Sequence, residues 1–128
     1  KKINFVFNKN YKSGMASSIK TGLKEISKRS IGFLIVQADM PLISKKIVDI
    51  LCYAVRNSNK EIVAPIYKRK MGNPIGFKRS MTRILNKTSG DSGAKKMIKR
   101  NKKNLSLIRV NSKFIFKNFN TQKDFLLN

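Results

Sequence analysis

The chain has no histidine, one cysteine (Cys52) and only six acidic residues among 128. Without histidine, serine–histidine and cysteine–histidine nucleophile systems are excluded, and a zinc site is nearly so. One cysteine excludes an internal disulfide framework. No apolar run reaches the roughly 18 residues that a transmembrane helix requires. Residues 1–8, Lys-Lys-Ile-Asn-Phe-Val-Phe-Asn, return to polar too early for a secretion signal. The expectation is a soluble, reduced, cytoplasmic protein with no membrane partner.

Apolar residues make up 41% of the chain, close to ordinary globular usage, and the length suits one domain with a real core. Lys and Arg number 29, giving a net charge of +23 and a pI near 10.7, the range of nucleic-acid-binding domains. Yet the 22 lysines, 13 asparagines and 15 isoleucines are types favoured by AT-rich coding. The basic residues also spread along the whole chain, with short clusters only at Lys68-Arg69-Lys70 and Lys99-Arg100-Asn101-Lys102-Lys103. A dedicated nucleic-acid binder interleaves its basic patch with aromatics. Nucleic acid is therefore not expected as the main partner, whereas the field favours anionic small ligands such as nucleotides.

Strand and helix patterns alternate with little waste. Strands are expected at 3–8, at 32–38 (a nearly continuous apolar run that reads as a central strand), at 61–65, 74–77, 105–110 and 114–117. Helices are expected at 15–29, with Met15, Ile19, Leu23 and Ile26 on one face, and at 45–57, with Ser44 as N-cap. Shorter ones are expected at 81–86 and 94–100, and after Thr121, with Asp124 three residues on. Such alternation predicts an α/β three-layer sandwich on a mixed, mainly parallel sheet, of Rossmann-like character. The chain opens directly on a strand pattern with no glycine-rich loop before it, so the expectation is a partial domain over 1–128, lacking its N-terminal strand and loop.

Ligands in open α/β sheets bind beyond the carboxyl ends of the strands. Four segments qualify. Asp39-Met40-Pro41 follows the apolar run, and an acid there suits a divalent cation held against phosphate, though it equally suits a cap on the next turn. Gly14-Met15-Ala16-Ser17-Ser18 opens a helix with backbone N–H groups and hydroxyls that suit an anion or a base edge, or simply cap it. Lys70-Met71-Gly72-Asn73-Pro74 precedes a strand, and Gly90-Asp91-Ser92-Gly93-Ala94 opens a helix; plain turn chemistry also accounts for both.

In this order the four segments resemble the MobA-like NTP transferases, most closely the molybdenum cofactor cytidylyltransferases. The resemblance runs through Gly14–Leu23, Ala38-Asp39-Met40-Pro41, Ala64-Pro65 with Gly72-Asn73-Pro74, Gly90–Ala94, and the closing Asn118-Phe119-Asn120-Thr121-Gln122-Lys123-Asp124. It implies that Asp39 is catalytic and holds Mg²⁺, with Asn118 and Asn120 as further metal ligands. Gly14, Ser17 and Ser18 would then bind the nucleotide. Gly72, Asn73, Pro74, Asp91, Ser92 and Gly93 would line the acceptor pocket. The implied reaction moves NMP from an NTP to a phosphate-bearing acceptor such as molybdopterin and releases pyrophosphate, with a molybdoenzyme as a further partner.

Two departures from the family pattern carry expectations of their own. The triphosphate-cradling loop is absent, so this chain alone is expected to be inactive. The resemblance favours CTP as donor, but Asn118 and Asn120 stand where cytidylyltransferases more often carry Asp, a form closer to the guanylyltransferase branch, which makes GTP the alternative. The competing readings are a sugar-phosphate or other small-acceptor nucleotidyltransferase on the same fold, and a basic nucleic-acid-binding module. Nucleic-acid affinity would fall steeply with salt, whereas a metal-dependent nucleotide site needs Mg²⁺.

Overall fold

A computed structural model describes residues 3–91 and 94–126. Its five strands are β1 (Gly32–Ile35), β2 (Ile62–Tyr67), β3 (Lys70–Met71), β4 (Ile75–Lys78) and β5 (Leu105–Arg109). Its α-helices are α1 (Met15–Leu23), α2 (Lys45–Asn57), α3 (Thr82–Leu85), α4 (Lys95–Arg100) and α5 (Gln122–Leu126). One sheet contains all five strands in the order β1-β4-β2-β3, with β5 also paired to β2. Ile62 faces Phe77 on one side and Leu105 on the other, and Ile66 faces Met71 and Arg109. β3 and β4 thus follow one another along the same edge of β2.

The sheet is mixed, as expected, but it is not mainly parallel. Among the described residues three of its four strand pairings are antiparallel, because β4 is inserted between β1 and β2 and β3 folds back on β2 as a hairpin. β2 and β5 pair in parallel, and β4 runs antiparallel to both β1 and β2. It follows that β1, β2 and β5 share a direction and end at one edge of the sheet. Residues that start β4 stand at that same edge, and this shared edge positions the site.

Period-two alternation in β2 builds two cores, one on each face. Ile62 and Ala64 join Ile75 and Phe77 of β4 against Leu23 of α1, Met81, Leu85 of α3, and Met97 and Ile98 of α4. Val63 faces the other way, against Ile47, Leu51 and Val55 of α2 and against Ile115. Three layers result, with helices on both faces of the sheet. Phe77, Ile62, Leu51, Met81, Leu85 and Ile115 are fully buried, each removing about 1.5–3 kcal/mol worth of apolar surface from water. Ser44 caps α2 as expected, its hydroxyl accepting from the Ile47 N–H.

Several elements differ from the sequence reading. Residues 3–8 form no strand; they find no ladder partner, and Phe5 and Phe7 are 92% and 79% exposed. The apolar run at 32–38 forms a strand only over Gly32–Ile35. Among the described residues this strand is an edge and not the centre, because β4 is inserted between it and β2. Helix 15–29 stops at Leu23, after Gly22; Lys24, Glu25 and Ile26 continue with tighter bonds to Thr21, Gly22 and Leu23, which keep Ile26 packed on the core. The hairpin strand β3 stands where only a turn was expected. Residues 114–117 form a 3₁₀ turn (Lys113–Phe116) and not a strand, because the Ser112 hydroxyl caps it by accepting from the Phe114 N–H.

Candidate functional site

Past the end of β1 the chain runs through Val36, Gln37 and Ala38 to Asp39, and the buried Met40 anchors it there, its N–H bonded to the Gln37 carbonyl. The closing segment returns to the same point. Phe119, itself buried, donates its N–H to the Asp39 carbonyl at 2.7 Å, and the Asn118 side-chain amide donates to Asp39 Oδ2 at 3.1 Å. Asp39 Oδ1 is buried and has no hydrogen-bond partner. A buried carboxylate oxygen without a partner costs about 1–3 kcal/mol, so the fold holds it at some expense. Asp39 is therefore half-buried, where the apolar run ending in an acid predicts exposure at the strand's end.

Asn73, at the start of β4, joins the same edge. Its side-chain amide donates to Gln37 Oε1 at 3.2 Å, and its N–H donates to the Ile115 carbonyl at 2.9 Å. Gly72 lies so close to Ile115 that a Cβ on it would come within 2.5 Å of the Ile115 carbonyl oxygen. Pro74, after a cis peptide bond, is fully buried. The hydrogen bonds thus bring Asp39, Gln37, Asn73 and Asn118 to one edge of the sheet.

A second group forms around the start of α1. Gly14 has φ +100° and caps α1; a Cβ there would come within 2.6–2.8 Å of Gly90 and Asp91, and the Ala16 N–H bonds the Gly90 carbonyl. Asn8 donates to both Ser17 Oγ (2.8 Å) and Ser18 Oγ (3.0 Å), and the Ser17 hydroxyl donates to the Gly14 carbonyl. A polar groove of about 420 Å³ runs here, lined among others by Asn8, Ser17, Lys20, Thr21 and Gly90. Ser92 and Gly93 lie outside the described residues. Gln37 and Asn8 were missed in the sequence, where Gln37 read as part of an apolar strand and Asn8 as a strand end.

Asn120 is exposed, and its N–H donates to Asp124 Oδ2 at 2.9 Å. The same oxygen accepts from the Thr121 N–H and hydroxyl at 2.8 and 3.0 Å. These bonds, Thr121's backbone first, then its hydroxyl, with Asn120 and the charge of Lys117 adding to them, hold the Asp124 carboxyl below its ordinary 3.8. The depressed folded value means that the contribution to stability is complete above the ordinary value and lost as pH falls through the lowered one. A carboxylate-carbon NMR titration should give Asp124 a midpoint below 3.8, and a midpoint at or above it would contradict this arrangement.

The donor set fits a hard divalent cation sparsely. Asp39 supplies one carboxylate with an unpartnered oxygen. Asn118 supplies an amide whose oxygen and nitrogen exchange places by a half-turn. Among the described residues no three His, Cys, Asp or Glu side chains gather to hold a metal. Mg²⁺ is commonly held in this way, by one or two carboxylates with phosphate oxygens and water completing its shell. No helix among the described residues is long and apolar enough to cross a membrane.

Layers, shared carboxyl edge and a lone acid beyond the first strand define an open α/β fold of the kind that binds ligands beyond the carboxyl ends of its strands. Residues 1–105 match the MobA-like NTP transferase domain, and the chain belongs to that family. Among solved structures it is similar to Rv0371c from Mycobacterium tuberculosis H37Rv (TM-score 0.77, 20% identity, 88% of this chain and 57% of that one). A structure of Rv0371C from the same organism in complex with manganese aligns at TM-score 0.67 and 20% identity, over 86% of this chain and 57% of that one. The 4-diphosphocytidyl-2C-methyl-D-erythritol synthase from Anaerococcus prevotii DSM 20548 aligns at TM-score 0.68 and 14% identity, over 97% of this chain and 65% of that one. The chain spans under three-fifths of the length of the Rv0371c structures. Comparison with curated proteins found no match.

Proposed function

We propose that this chain carries the metal and acceptor side of a nucleotidyltransferase that moves NMP from an NTP to a phosphate-bearing acceptor and releases pyrophosphate. The observation that carries this reading is Asp39, with one carboxylate oxygen held by Asn118 and the other buried and unpartnered at the sheet's carboxyl edge. Mg²⁺ or Mn²⁺ bound there would neutralise charge on the phosphoryl oxygens. Asp39 and Asn118 would hold it, and Asn120 would join only by turning inward from its exposed position. Gln37 fixes the Asn73 side chain beside them, so that Gly72-Asn73-Pro74 shape the wall facing the acceptor. Gly14, Ser17 and Ser18 offer hydroxyls and backbone to the base and ribose, with Ser17 lining that groove, and Asp91 lies against Gly14.

CTP is the favoured donor and GTP the alternative. The sequence resemblance to molybdenum cofactor cytidylyltransferases supports a cytidine donor and a molybdopterin-type acceptor, with a molybdoenzyme as eventual partner. The A. prevotii neighbour, named for a diphosphocytidyl product, supports cytidine but favours a second reading, in which the acceptor is another small phosphate ester.

Among the described residues no glycine-rich loop with basic residues stands beside Asp39 to hold a triphosphate. Positioning of that kind is worth about 7 kcal/mol or more of barrier. Residues 1–128 should therefore bind CTP or GTP weakly, only with Mg²⁺ or Mn²⁺, and release no detectable pyrophosphate. Calorimetry with each nucleotide and a pyrophosphate-release assay test this. Robust turnover by these residues alone would show the donor site to be misassigned, and binding indifferent to metal would remove Asp39 from it.

A further inference from the structure

A second cluster at the carboxyl edge of the sheet is absorbed by none of the roles above. β2 and β3 join through Lys68 and Arg69, both in the left-handed region at φ 45° and 64°. A two-residue hairpin turn asks for this backbone, and Asn-Gly adopts it with least strain. Here two long cations take it instead. Lys68 Nζ stands 5.6 Å from the centre of the Tyr67 ring, and Tyr67 packs against Phe116 with centroids 6.4 Å apart. Arg109 and Val110 arrive from the end of β5 and close a groove of about 570 Å³ against the hairpin, with no acid in its lining.

The hairpin is tied down. Gly72 donates its N–H to the Pro65 carbonyl at 2.9 Å and Val110 to the Ile66 carbonyl at 3.1 Å. Next along the chain, Asn73 bonds both Ile115 and Gln37, so the groove is coupled through adjoining residues to the segment that carries Asp39.

The net charge of +23 does not single out this groove, because lysines cover the whole surface. Its distinguishing features are concavity, a lining that includes Arg69, Arg109 and a Lys68 ammonium set over the Tyr67 ring, and a position at the edge where β1, β2 and β5 all end. Guanidinium groups take phosphate oxygens in pairs, which suits a dianion better than a scattered lysine surface does. We propose that the groove between the β2–β3 hairpin and β5 binds a phosphate dianion on a small molecule, through Lys68, Arg69 and Arg109. As to role, and resting on the nucleotidyl-transfer reading, this is a second anionic group on the acceptor, remote from the oxygen that attacks the NTP. The acceptor class is then a small molecule with two anionic ends.

Titration of the isotope-labelled chain with inorganic phosphate, in EDTA and without nucleotide, tests the groove apart from catalysis. Amide shifts should concentrate at residues 66–70 and 109–110. Arg109→Gln with Arg69→Gln should weaken phosphate binding by about tenfold, and Arg109→Lys, which keeps charge but loses the fork, by about threefold. Lys102→Gln with Lys103→Gln removes the same charge at the start of β5, on the opposite edge, and should change it by less than about twofold. Asp39→Asn should leave the phosphate titration unaltered while abolishing divalent-cation-dependent nucleotide binding, and that combination separates the two readings. Shifts scattered over the surface, or equal weakening by both charge-removing pairs, would overturn the proposal. So would a short single-stranded oligonucleotide that occupies the same amides about tenfold more tightly than phosphate does, since that would make the groove a nucleic-acid surface.

Discussion

Asp39→Asn is expected to abolish divalent-cation-dependent nucleotide binding while leaving the fold as stable as before or more so. The substitution keeps the shape and keeps an oxygen for the Asn118 amide, but removes the charge and puts a neutral amide nitrogen where the unpartnered carboxylate oxygen stood. A hard cation loses its one charged protein ligand, and amide oxygens replace it poorly. In any protein form that turns over, transfer should fall by about a hundred- to a thousandfold, the several kcal/mol that a metal contributes at a phosphoryl centre. Stability should move in the opposite direction, because burying an unpaired carboxylate oxygen opposes folding. Paramagnetic broadening by Mn²⁺, expected near 37–41 and 117–119 and lost in the variant, reads the metal; urea denaturation reads the fold. If Asp39 merely organised the turn into α2, stability would fall and the broadening would persist.

Local patterns made some of this legible and could not reach the rest. The apolar stripe of Ile47, Ile50, Leu51 and Ala54 and the hydroxyl of Ser44 marked α2 to the residue, because a cap and an apolar stripe act within one helix, although the buried positions are Ile47, Leu51 and Val55. The run Gly32–Ala38 announced a strand but not its place. An apolar ribbon between helices reads the same at an edge as at the centre, and only pairing with β4, forty or more residues later, decides. Residues 114–117 have strand-like side chains, yet Ser112 and the bond from Asn73 to Ile115 turn them into a 3₁₀ segment. The site divides in the same way. Asp39 stood out as a rare acid after an apolar run. Its contact with Asn118, 79 positions away, and that of Gln37 with Asn73, 36 away, leave no local trace, and the closing asparagines drew notice only through family resemblance. The basic clusters looked dispersed in sequence, and the sheet gathers Lys68, Arg69 and Arg109 around one groove.

Two glycines of α1 should respond to alanine with opposite signs. Gly14 sits at φ +100° and ψ 172°, a conformation that L side chains rarely adopt and that costs about 1–3 kcal/mol for a residue with a Cβ. A Cβ there would also come within 2.6 Å of the Gly90 carbonyl carbon and 2.8 Å of the Asp91 N–H nitrogen, both backbone atoms that cannot rotate aside. Gly14→Ala should therefore lower unfolding free energy by about 2–4 kcal/mol, prising the start of α1 from the Gly90–Asp91 turn. The bond from the Ala16 N–H to the Gly90 carbonyl should weaken with it, and with that bond the wall of the groove lined by Asn8 and Ser17. Gly22, near the other end of the same helix, has nothing within 4 Å of where its Cβ would stand. Gly22→Ala should raise stability by about 0.5–1 kcal/mol, since alanine loses less backbone freedom on folding than glycine does. Urea denaturation of the two variants beside the parent measures both. A Gly14→Ala loss no larger than a few tenths of a kcal/mol would mean that α1 is not seated on the Gly90–Asp91 turn, and that those two segments do not build one site.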